Sequence, residues 1–316
     1  MLSSIYTTWR ERGPQALACA ASNLAYGEIC RRILGRRYLE KPIHDYRMLI
    51  DLEDRGISRS LLLFGTREVD HKILLEEIAH PGMRVFDIGA NIGYYALMEL
   101  GLIGESGELI AIEPSPSNVA LLRRNLELNG KAGRVSLIEG AVSNASGSAS
   151  FHLSAHSNLG TFHADGSAAK LLSGEQISVR TYTVPELAAE HGAPDLIRMD
   201  VEGHEVEVID GMLDAINAGT MRPTIIFETH LSRYGADHDM AAVLKGLFAA
   251  GYGVPMAATS WQRGTDILAA RGYEGGAPIA TDGVERVIVR QVAPDDAIDI
   301  ICRTGGLRTV VLAPTG

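Results

Sequence analysis

The chain has 316 residues, of which 46% are hydrophobic and 22% charged, the composition of an ordinary globular protein with room for one large core. Its net charge of −10 argues against a general nucleic-acid binder, because phosphate requires a basic surface. No apolar stretch approaches membrane-spanning length, and the N-terminus lacks a signal-peptide pattern. The cysteines (Cys19, Cys30 and Cys302) are odd in number and lack metal spacing, which favours a reduced, cytoplasmic compartment.

The first 41 residues differ in charge from the rest, with seven Arg or Lys against three acids. Apolar residues spaced three to five apart predict a helix over residues 15–39, with Arg31-Arg32 and Arg36-Arg37 at its C-terminal end. Two interpretations stay open: a helical cap on the main domain, or a basic amphipathic segment that makes peripheral contact with a membrane or a lipid-linked acceptor. We therefore divide the chain into an N-terminal extension (1–60) and a main domain (61–316).

A predicted helix, Val69–Ala79, is followed by an apolar strand, Arg84–Ile88, that carries one carboxylate, Asp87. The strand breaks into the loop Gly89–Gly93 and resumes as a helix at Tyr94, an arrangement that brings backbone close to a nucleotide. The dinucleotide fingerprint requires glycine at loop positions one, three and six, and here the third and sixth are Asn91 and Tyr94. A carboxylate before the loop suits instead the ammonium and sulfonium groups of S-adenosylmethionine.

The second strand of the domain, Leu109–Ile112, ends in Glu113, Pro114 and Ser115. An acid at this strand end is placed to accept the two hydroxyls of a ribose. The alternative is an acid that caps the next helix, for which Ser115 is the predicted N-cap and Pro116 the first helical residue.

A third strand, Val135–Ile138, precedes an insert over residues 143–180 that is rich in Ser, Gly and His. The insert contains His152, His156 and His163 and two strand-like pieces, Ala149–Leu153 and Ile177–Thr183. Two interpretations again stay open, a site for a hydroxylated acceptor or a solvated hairpin.

The fourth and fifth strands, Asp195–Met199 and Thr224–Phe227, both end in polar residues. Ligands of open α/β sheets bind outside the carboxyl ends of the strands, so we expect the side chains that follow to face a reaction centre. These are Asp200 and Glu202 after the fourth strand, and Glu228 and His230 after the fifth. Glu205 is expected to be an exposed helical residue, whereas His204 is left unassigned.

The last third of the chain is predicted from weaker patterns. It contains a helix over Met240–Ala249 and strands over Gly251–Ala257, Val284–Val289 and Arg308–Leu312. The stretch Trp261–Asp282 is predicted to be irregular, a candidate flap.

Taken together, four motifs resemble those of the FkbM-type S-adenosylmethionine-dependent methyltransferases, from about Phe64 to His230. The motifs begin at Asp87 (DIGANIGY), Ile112 (IEPSP), Asn125 (NLELN) and Met199 (MDVEGHE). The resemblance implies a class I methyltransferase fold, which is Rossmann-like α/β: a doubly wound, mostly parallel sheet of seven strands with an antiparallel C-terminal hairpin. It implies O-methylation of a sugar, a glycan or glycolipid, or another natural product, and no particular acceptor.

The resemblance also adds two positions. A Gly-X-X-Glu precedes the cofactor strand in the family and matches Gly65 and Glu68, although Glu68 also fits the first turn of the next helix. Many class I methyltransferases carry an acid where this chain has Ala141, which leaves the adenine contact to backbone or to Glu139. The predicted contacts to S-adenosylmethionine are Glu68, Asp87, Gly89, Ala90, Asn91, Gly93, Tyr94, Glu113, Pro114, Ser115, Ala141 and Asp200.

A hydroxyl acceptor must lose its proton as it attacks, which requires a base or a metal. We expect His230 to be the base, because an unperturbed imidazole titrates near neutrality, with Glu202 as second choice and Asp200 and Glu228 beside them. The same four residues could instead form a divalent-metal site, which the spacing neither requires nor excludes. The other function classes left open are a silent S-adenosylmethionine-binding scaffold and a nicotinamide-dependent oxidoreductase.

Overall fold

The computed structural model describes residues 2–154, 156–157, 160–162 and 172–315, with side chains from residue 12 onward. Within these ranges the α-helices are α1 (Leu2–Arg32), α2 (Ile57–Phe64), α3 (Val69–Ile78), α4 (Tyr94–Ile103), α5 (Pro116–Leu128), α6 (Val184–His191), α7 (Glu205–Asn217), α8 (Met240–Ala249), α9 (Gln262–Ala270) and α10 (Pro294–Asp299). The strands of the first half are β1 (Tyr38–Ile43), β2 (Tyr46–Asp51), β3 (Arg84–Ile88), β4 (Glu108–Glu113), β5 (Val135–Glu139), β6 (Ala141–Val142) and β7 (Gly147–Ser154). Those of the second half are β8 (Leu172–Tyr182), β9 (Leu196–Met199), β10 (Thr224–Glu228), β11 (Tyr252–Thr259), β12 (Ile279–Thr281), β13 (Val284–Arg286), β14 (Ile288–Val292) and β15 (Leu307–Pro314).

The centre of the molecule is a sheet with strand order β14-β11-β15-β10-β9-β3-β4-β5. Strands β5, β4, β3, β9 and β10 are mutually parallel, and β15 runs antiparallel between β10 and β11. The predicted doubly wound, mostly parallel sheet with an antiparallel C-terminal part is confirmed. It has eight strands within the described residues, one more than predicted, because β14 extends the edge beyond β11.

Alternate residues of the central strands feed two apolar cores, one on each face of the sheet. Phe86 and Ile88 belong to one core and Val85 to the other. This alternation is the two-residue period of a strand, and burial on both faces explains the nearly continuous apolar runs in the sequence.

The N-terminal part contains a β-hairpin that the helical periodicity of the sequence did not predict. The helix α1 ends at Arg32, so the predicted helix over 15–39 was wrong in its last seven residues, and Tyr38 begins the antiparallel hairpin β1–β2. In β2, Tyr46, Met48 and Ile50 alternate into the core that also holds Val85. The extension therefore combines helix with a hairpin that packs against the sheet.

Two other stretches differ from the sequence prediction. Trp261–Asp282, predicted to be irregular, contains α9 and β12, and Leu268 of α9 is fully buried. The predicted strand Val284–Val289 is divided into β13 and β14, because the amide of Val287 donates to the Thr259 hydroxyl (3.0 Å) rather than to a ladder partner. No helix among the described residues is long and apolar enough to cross a membrane.

Candidate active site

The loop after β3 is pressed against the end of β9. Gly89 and Gly93 have φ of 82° and 90°, which glycine adopts without strain. A Cβ on Gly89 would lie 2.4 Å from the carbonyl oxygen of Asp200, and one on Gly93 would lie 2.5 Å from Leu122 Cδ1. The two glycines therefore fix how closely the loop approaches the neighbouring strand and helix.

Glu113, at the end of β4, is held by donors from the surrounding loops. Its Oε1 accepts from the Ser115 amide (2.9 Å) and from Asn118 Nδ2 (3.0 Å), and its Oε2 accepts from the Asn91 amide (2.9 Å). Burial raises the pKa of Glu113 to about 7 against these hydrogen bonds. The carboxyl group thus borders the adjacent cavity in one fixed orientation.

A cavity of about 210 Å³, which we call the acid-lined cavity, lies at the carboxyl ends of β3, β4 and β9. Among the described residues its lining includes four acids and neither Lys nor Arg; the acids are Glu113, Glu175, Asp200 and Glu202. Of the predicted cofactor contacts, those that line it are Gly89, Asn91, Glu113, Pro114, Ser115, Ala141 and Asp200. This charge suits a cationic ligand.

The other predicted contacts, Glu68, Asp87, Ala90, Gly93 and Tyr94, lie outside this lining. Asp87 is fully buried, and its register partner Arg198 of β9 donates to it at 3.1 Å and to the Gly89 carbonyl at 3.2 Å. The Tyr94 hydroxyl donates to the Arg67 carbonyl (3.0 Å). Asp87 and Tyr94 therefore brace the loop from behind. Glu139, the alternative for adenine, pairs with Arg123 at 3.2 Å and is also outside the lining.

The described residues of the 143–180 insert cover the acid-lined cavity. Strands β6, β7 and β8 form a small sheet, and Phe151 and Phe162 meet edge to face with ring centroids 5.1 Å apart. The Ser157 amide and hydroxyl donate to Asp54 (3.0 and 2.8 Å), and the Ser157 carbonyl accepts from Asn118 (2.9 Å). His156 lines the cavity, the backbone of His152 pairs with that of Thr161, and His163 lies outside the described residues.

The four polar residues predicted at the ends of the fourth and fifth strands lie close together, with the three carboxyl groups around the imidazole of His230. Since β9 and β10 are parallel neighbours, their carboxyl ends meet at one edge of the sheet. His230 Nε2 lies 3.9 Å from Asp200 Oδ1, 3.7 Å from Glu202 Oε2 and 3.5 Å from Glu228 Oε1. We call Asp200, Glu202, Glu228 and His230 the acid–histidine cluster.

Glu205 was expected to be exposed, which is wrong. It is fully buried, and its Oε1 accepts from His230 Nδ1 at 3.0 Å and from the amides of Val201 and Gly203 at 3.3 Å. Glu205 is the first residue of α7, and both amides belong to the turn that precedes the helix. Glu205 thereby fixes the orientation of the imidazole.

The turn that carries Glu202 has two consecutive residues with positive φ, Glu202 and Gly203. Glu202 has φ of 54°, uncommon for a residue with a side chain, and a Cβ on the next residue, Gly203, would lie 2.6 Å from Arg233 Cβ. Such backbone conformations cluster at functional sites. Here the turn sends the Glu202 carboxyl into both the acid-lined cavity and the cluster.

The cluster shifts the titration of its members. Burial alone would lower the pKa of His230, but the carboxylates of Glu205, Glu228 and Glu202 raise it to about 10. Burial raises the pKa of Glu202 and of Glu228, against the attraction of His230 and Arg308 respectively. His230 is therefore charged at neutral pH, contrary to the ordinary titration that made it the first candidate for the base.

The cluster is completed by cations that the sequence did not indicate. Arg308 of β15 forms an ion pair with Glu228 and lies 3.7 Å from Glu68. Burial would raise the pKa of Glu68, but Arg67 and Arg308 hold it below its ordinary range. Asp200, Glu202 and His230 each bring one ligand atom within 4.8 Å of the others, a spacing that one metal ion could bridge.

The strand order, the glycine loop after β3 and the acid after β4 define a class I methyltransferase architecture. The family model described as the methyltransferase FkbM domain matches residues 87–254. That is more than half of the sequence, and the chain belongs to this family.

Two curated relatives and one solved structure illustrate the similarity. The chain is 30% identical to the hexuronic acid methyltransferase AglP of Haloferax volcanii, over 50% of this chain and 60% of AglP. It is 32% identical to the 31-O-demethyl-FK506 methyltransferase FkbM of Streptomyces tacrolimicus, over 43% of this chain and 61% of that protein. The chain thus spans about 60% of the length of both relatives. The crystal structure of methyltransferase FkbM from Methylobacillus flagellatus KT superposes with a TM-score of 0.35 and 14% identity, covering 73% of this chain and 52% of that one.

Proposed function

We propose that the protein is a cytoplasmic S-adenosylmethionine-dependent O-methyltransferase that acts on a hydroxyl of a sugar, glycan, glycolipid or other natural product. The observation that carries the proposal is the acid-lined cavity, which runs from Glu113 to the acid–histidine cluster. S-adenosylmethionine carries a ribose and a cationic sulfonium, and the acids at the two ends of the cavity suit these two groups. The named activities of AglP and FkbM, both methyltransferases, support the class of reaction.

The residues that line the cavity are each assigned to one part of S-adenosylmethionine. Glu113 accepts the ribose hydroxyls, and Phe151, Phe162 and the backbone of Ala141 enclose the adenine. Asp200 and Glu202 face the ammonium and sulfonium. Asp87 acts through Arg198, since its carboxylate is already bound there.

In the reaction, the acceptor oxygen forms a bond to the methyl carbon while the carbon–sulfur bond breaks. S-adenosylhomocysteine leaves as a neutral sulfide, and the hydroxyl proton must be removed. Because the donor is already activated, alignment and exclusion of water supply most of the acceleration. We assign the proton to Glu202, whose Oε2 lies 3.7 Å from His230 Nε2. His230 is already protonated, and its positive charge favours the ionised form of Glu202 that can accept the proton.

Calorimetry with S-adenosylhomocysteine tests the proposal directly. We expect a 1:1 complex, and tight NADH binding without a response to S-adenosylhomocysteine would contradict it. A chelator then separates the two versions of the chemistry. Activity that survives EDTA supports Glu202 as the proton acceptor, whereas activity that is lost and then restored by magnesium or manganese assigns Asp200, Glu202 and His230 to a metal.

We also propose that the end of α1 contacts an anionic membrane surface. Tyr26, Ile29, Ile33 and Leu34 are exposed there, beside the arginine pairs 31–32 and 36–37. Apolar side chains among arginines are the pattern of an interfacial segment. We expect the protein to sediment with vesicles containing phosphatidylserine but less with phosphatidylcholine alone, and Ile33→Glu to abolish this. Equal sedimentation of the variant would contradict the assignment.

A further inference from the structure

A second cavity, of about 420 Å³, opens on the other side of the acid–histidine cluster, and we call it the arginine-lined cleft. Thr229 and Leu231, which flank His230 in the chain, form one wall. Ser260, Trp261 and Arg263, after β11, form another, and Arg308 of β15 connects the cleft to Glu228. The cleft therefore lies at the same carboxyl edge of the sheet as the acid-lined cavity, where ligands of such sheets bind.

The charge of the cleft is opposite to that of the chain as a whole. Among the described residues that line it are three arginines, and neither Asp nor Glu, in a chain of net charge −10. Arg286 is bound by Asp70 (2.6 Å), and Arg308 is bound by Glu228. Arg263 is exposed, and no carboxylate of the described ranges lies within ion-pair distance of it. One arginine is thus left to bind a ligand.

The indole of Trp261 lines the same cleft as Arg263. Trp261 is 53% exposed, and it is the one large exposed apolar side chain in the described residues apart from those at the end of α1. Its backbone is fixed, because the Ser260 amide donates to the Gly306 carbonyl (2.9 Å) and the Thr265 amide to the Trp261 carbonyl (3.1 Å). An indole face on a fixed backbone is a stacking surface for the apolar face of a ring.

The start of α9 packs closely against the Gly305–Gly306 turn, which also lines the cleft. A Cβ on Gly264 would lie 2.1 Å from the Gly306 carbonyl oxygen, so the helix and the Gly305–Gly306 turn are in direct backbone contact. Trp261 and Arg263 therefore project from a rigid support. The planar guanidinium of an arginine matches the two oxygens of a carboxylate or phosphate.

We propose that the arginine-lined cleft is the acceptor subsite and that it selects an anionic sugar. The ring stacks on Trp261, its anionic group binds Arg263, and a hydroxyl at the other end reaches the acid–histidine cluster beside Arg308. This inference rests on the proposed methyl transfer, because it supplies the acceptor for that reaction. It assigns acceptor selection to residues that lie outside the 87–254 family match.

Fluorescence titration tests the cleft without an assay of turnover. The chain has two tryptophans, Trp9 and Trp261, so a Trp9→Phe background leaves Trp261 as the reporter. The probes are methyl β-D-glucuronide, glucose 6-phosphate and the neutral methyl β-D-glucoside, added to protein saturated with S-adenosylhomocysteine. We expect one of the anionic probes to bind at least tenfold more tightly than the glucoside, and Arg263→Ala to remove that preference.

The controls separate this inference from the proposed function. Arg303→Ala changes an exposed arginine outside the lining and should leave binding unchanged, and Trp261→Ala, followed by calorimetry, should weaken all three probes. If S-adenosylhomocysteine binds but the three sugars bind equally, or Arg263→Ala has no effect, the acceptor inference fails while the cofactor assignment stands. If S-adenosylhomocysteine does not bind at all, the proposed function fails and the inference with it.

Discussion

The two cavities beside the acid–histidine cluster have opposite charge. The acid-lined cavity has four carboxyl groups and no Lys or Arg among its described lining residues, whereas the arginine-lined cleft has three arginines and no carboxyl group among its own. In the proposed methyl transfer a cationic donor meets a second molecule, and opposite fields would keep each ligand from occupying the site of the other. Glu228 and Arg308 form an ion pair where the two fields meet.

The largest expected effect comes from changing the residues between the two cavities. Glu202→Gln and His230→Ala should each lower turnover by about two to four orders of magnitude. The first removes the proposed base, and the second removes the cation that favours its ionised form. Affinity for S-adenosylhomocysteine should stay within a few-fold, because this product lacks the sulfonium charge. Turnover is measured as S-adenosylhomocysteine release, with the acceptor identified by labelled S-adenosylmethionine. Glu186→Gln, on the distant α6, is the control. Turnover within a few-fold of wild type in both variants would move the base elsewhere.

The next effect tests the acid-lined cavity. Glu113→Ala removes the proposed acceptor of the ribose hydroxyls and should weaken S-adenosylhomocysteine by about 1–3 kcal/mol in calorimetry. Glu139→Ala is the matched control, because Glu139 ends the next strand of the sheet and lies outside the cavity. Equal loss in both variants would mean that general charge, and not the ribose contact, holds the cofactor.

A smaller effect concerns a buried acid in α4. Glu99 of α4 is fully buried, and neither carboxyl oxygen has a hydrogen-bond partner among the described residues. Burial, with Asp87 adding to it, raises the pKa of Glu99 well above its ordinary 4.5. Because the folded pKa is raised, the contribution of Glu99 to stability is complete below pH 4.5 and is lost as pH rises towards the folded value.

Glu99→Gln should therefore match wild type below pH 4.5 and become more stable by about 1 kcal/mol or more at alkaline pH. Denaturant unfolding at several pH values measures the difference, with the exposed Glu127→Gln as control. A difference that stays constant with pH would show that Glu99 does not titrate in this way.

The smallest effect concerns the cover of the cavity. Asp54 accepts hydrogen bonds from both the amide (3.0 Å) and the hydroxyl (2.8 Å) of Ser157, so Asp54→Ala should speed dissociation of S-adenosylhomocysteine by at least about threefold. Stopped-flow displacement measures the rate, and the exposed Asp45→Ala is the control. An unchanged rate would show that the insert does not retain the ligand.

The sequence predicted the elements whose signals are local. The strand Arg84–Ile88 and the helix Met240–Ala249 have the predicted bounds, because an apolar run and its turn residues lie within a few positions. One topological rule, that neighbouring parallel strands end at the same edge, was enough to predict that the acid–histidine cluster would form.

The pairings between distant residues were not accessible in this way. That Arg198 neutralises Asp87 depends on the register of β9 against β3, and that Arg308 binds Glu228 depends on β15 returning beside β10. The sequence around Glu205 is that of an exposed helical acid, and only the fold brings His230 into contact with it. The arginine-lined cleft is assembled from four segments of the chain and has no sequence signal of its own.

The most direct test of the two-cavity account is a crystal structure with S-adenosylhomocysteine and methyl β-D-glucuronide bound together. The account predicts the ribose on Glu113, the sulfur facing Asp200 and Glu202, and the glucuronide in the cleft with its carboxylate on Arg263. A structure with both ligands on one side of the cluster, or with the sulfur turned away from it, would contradict the account.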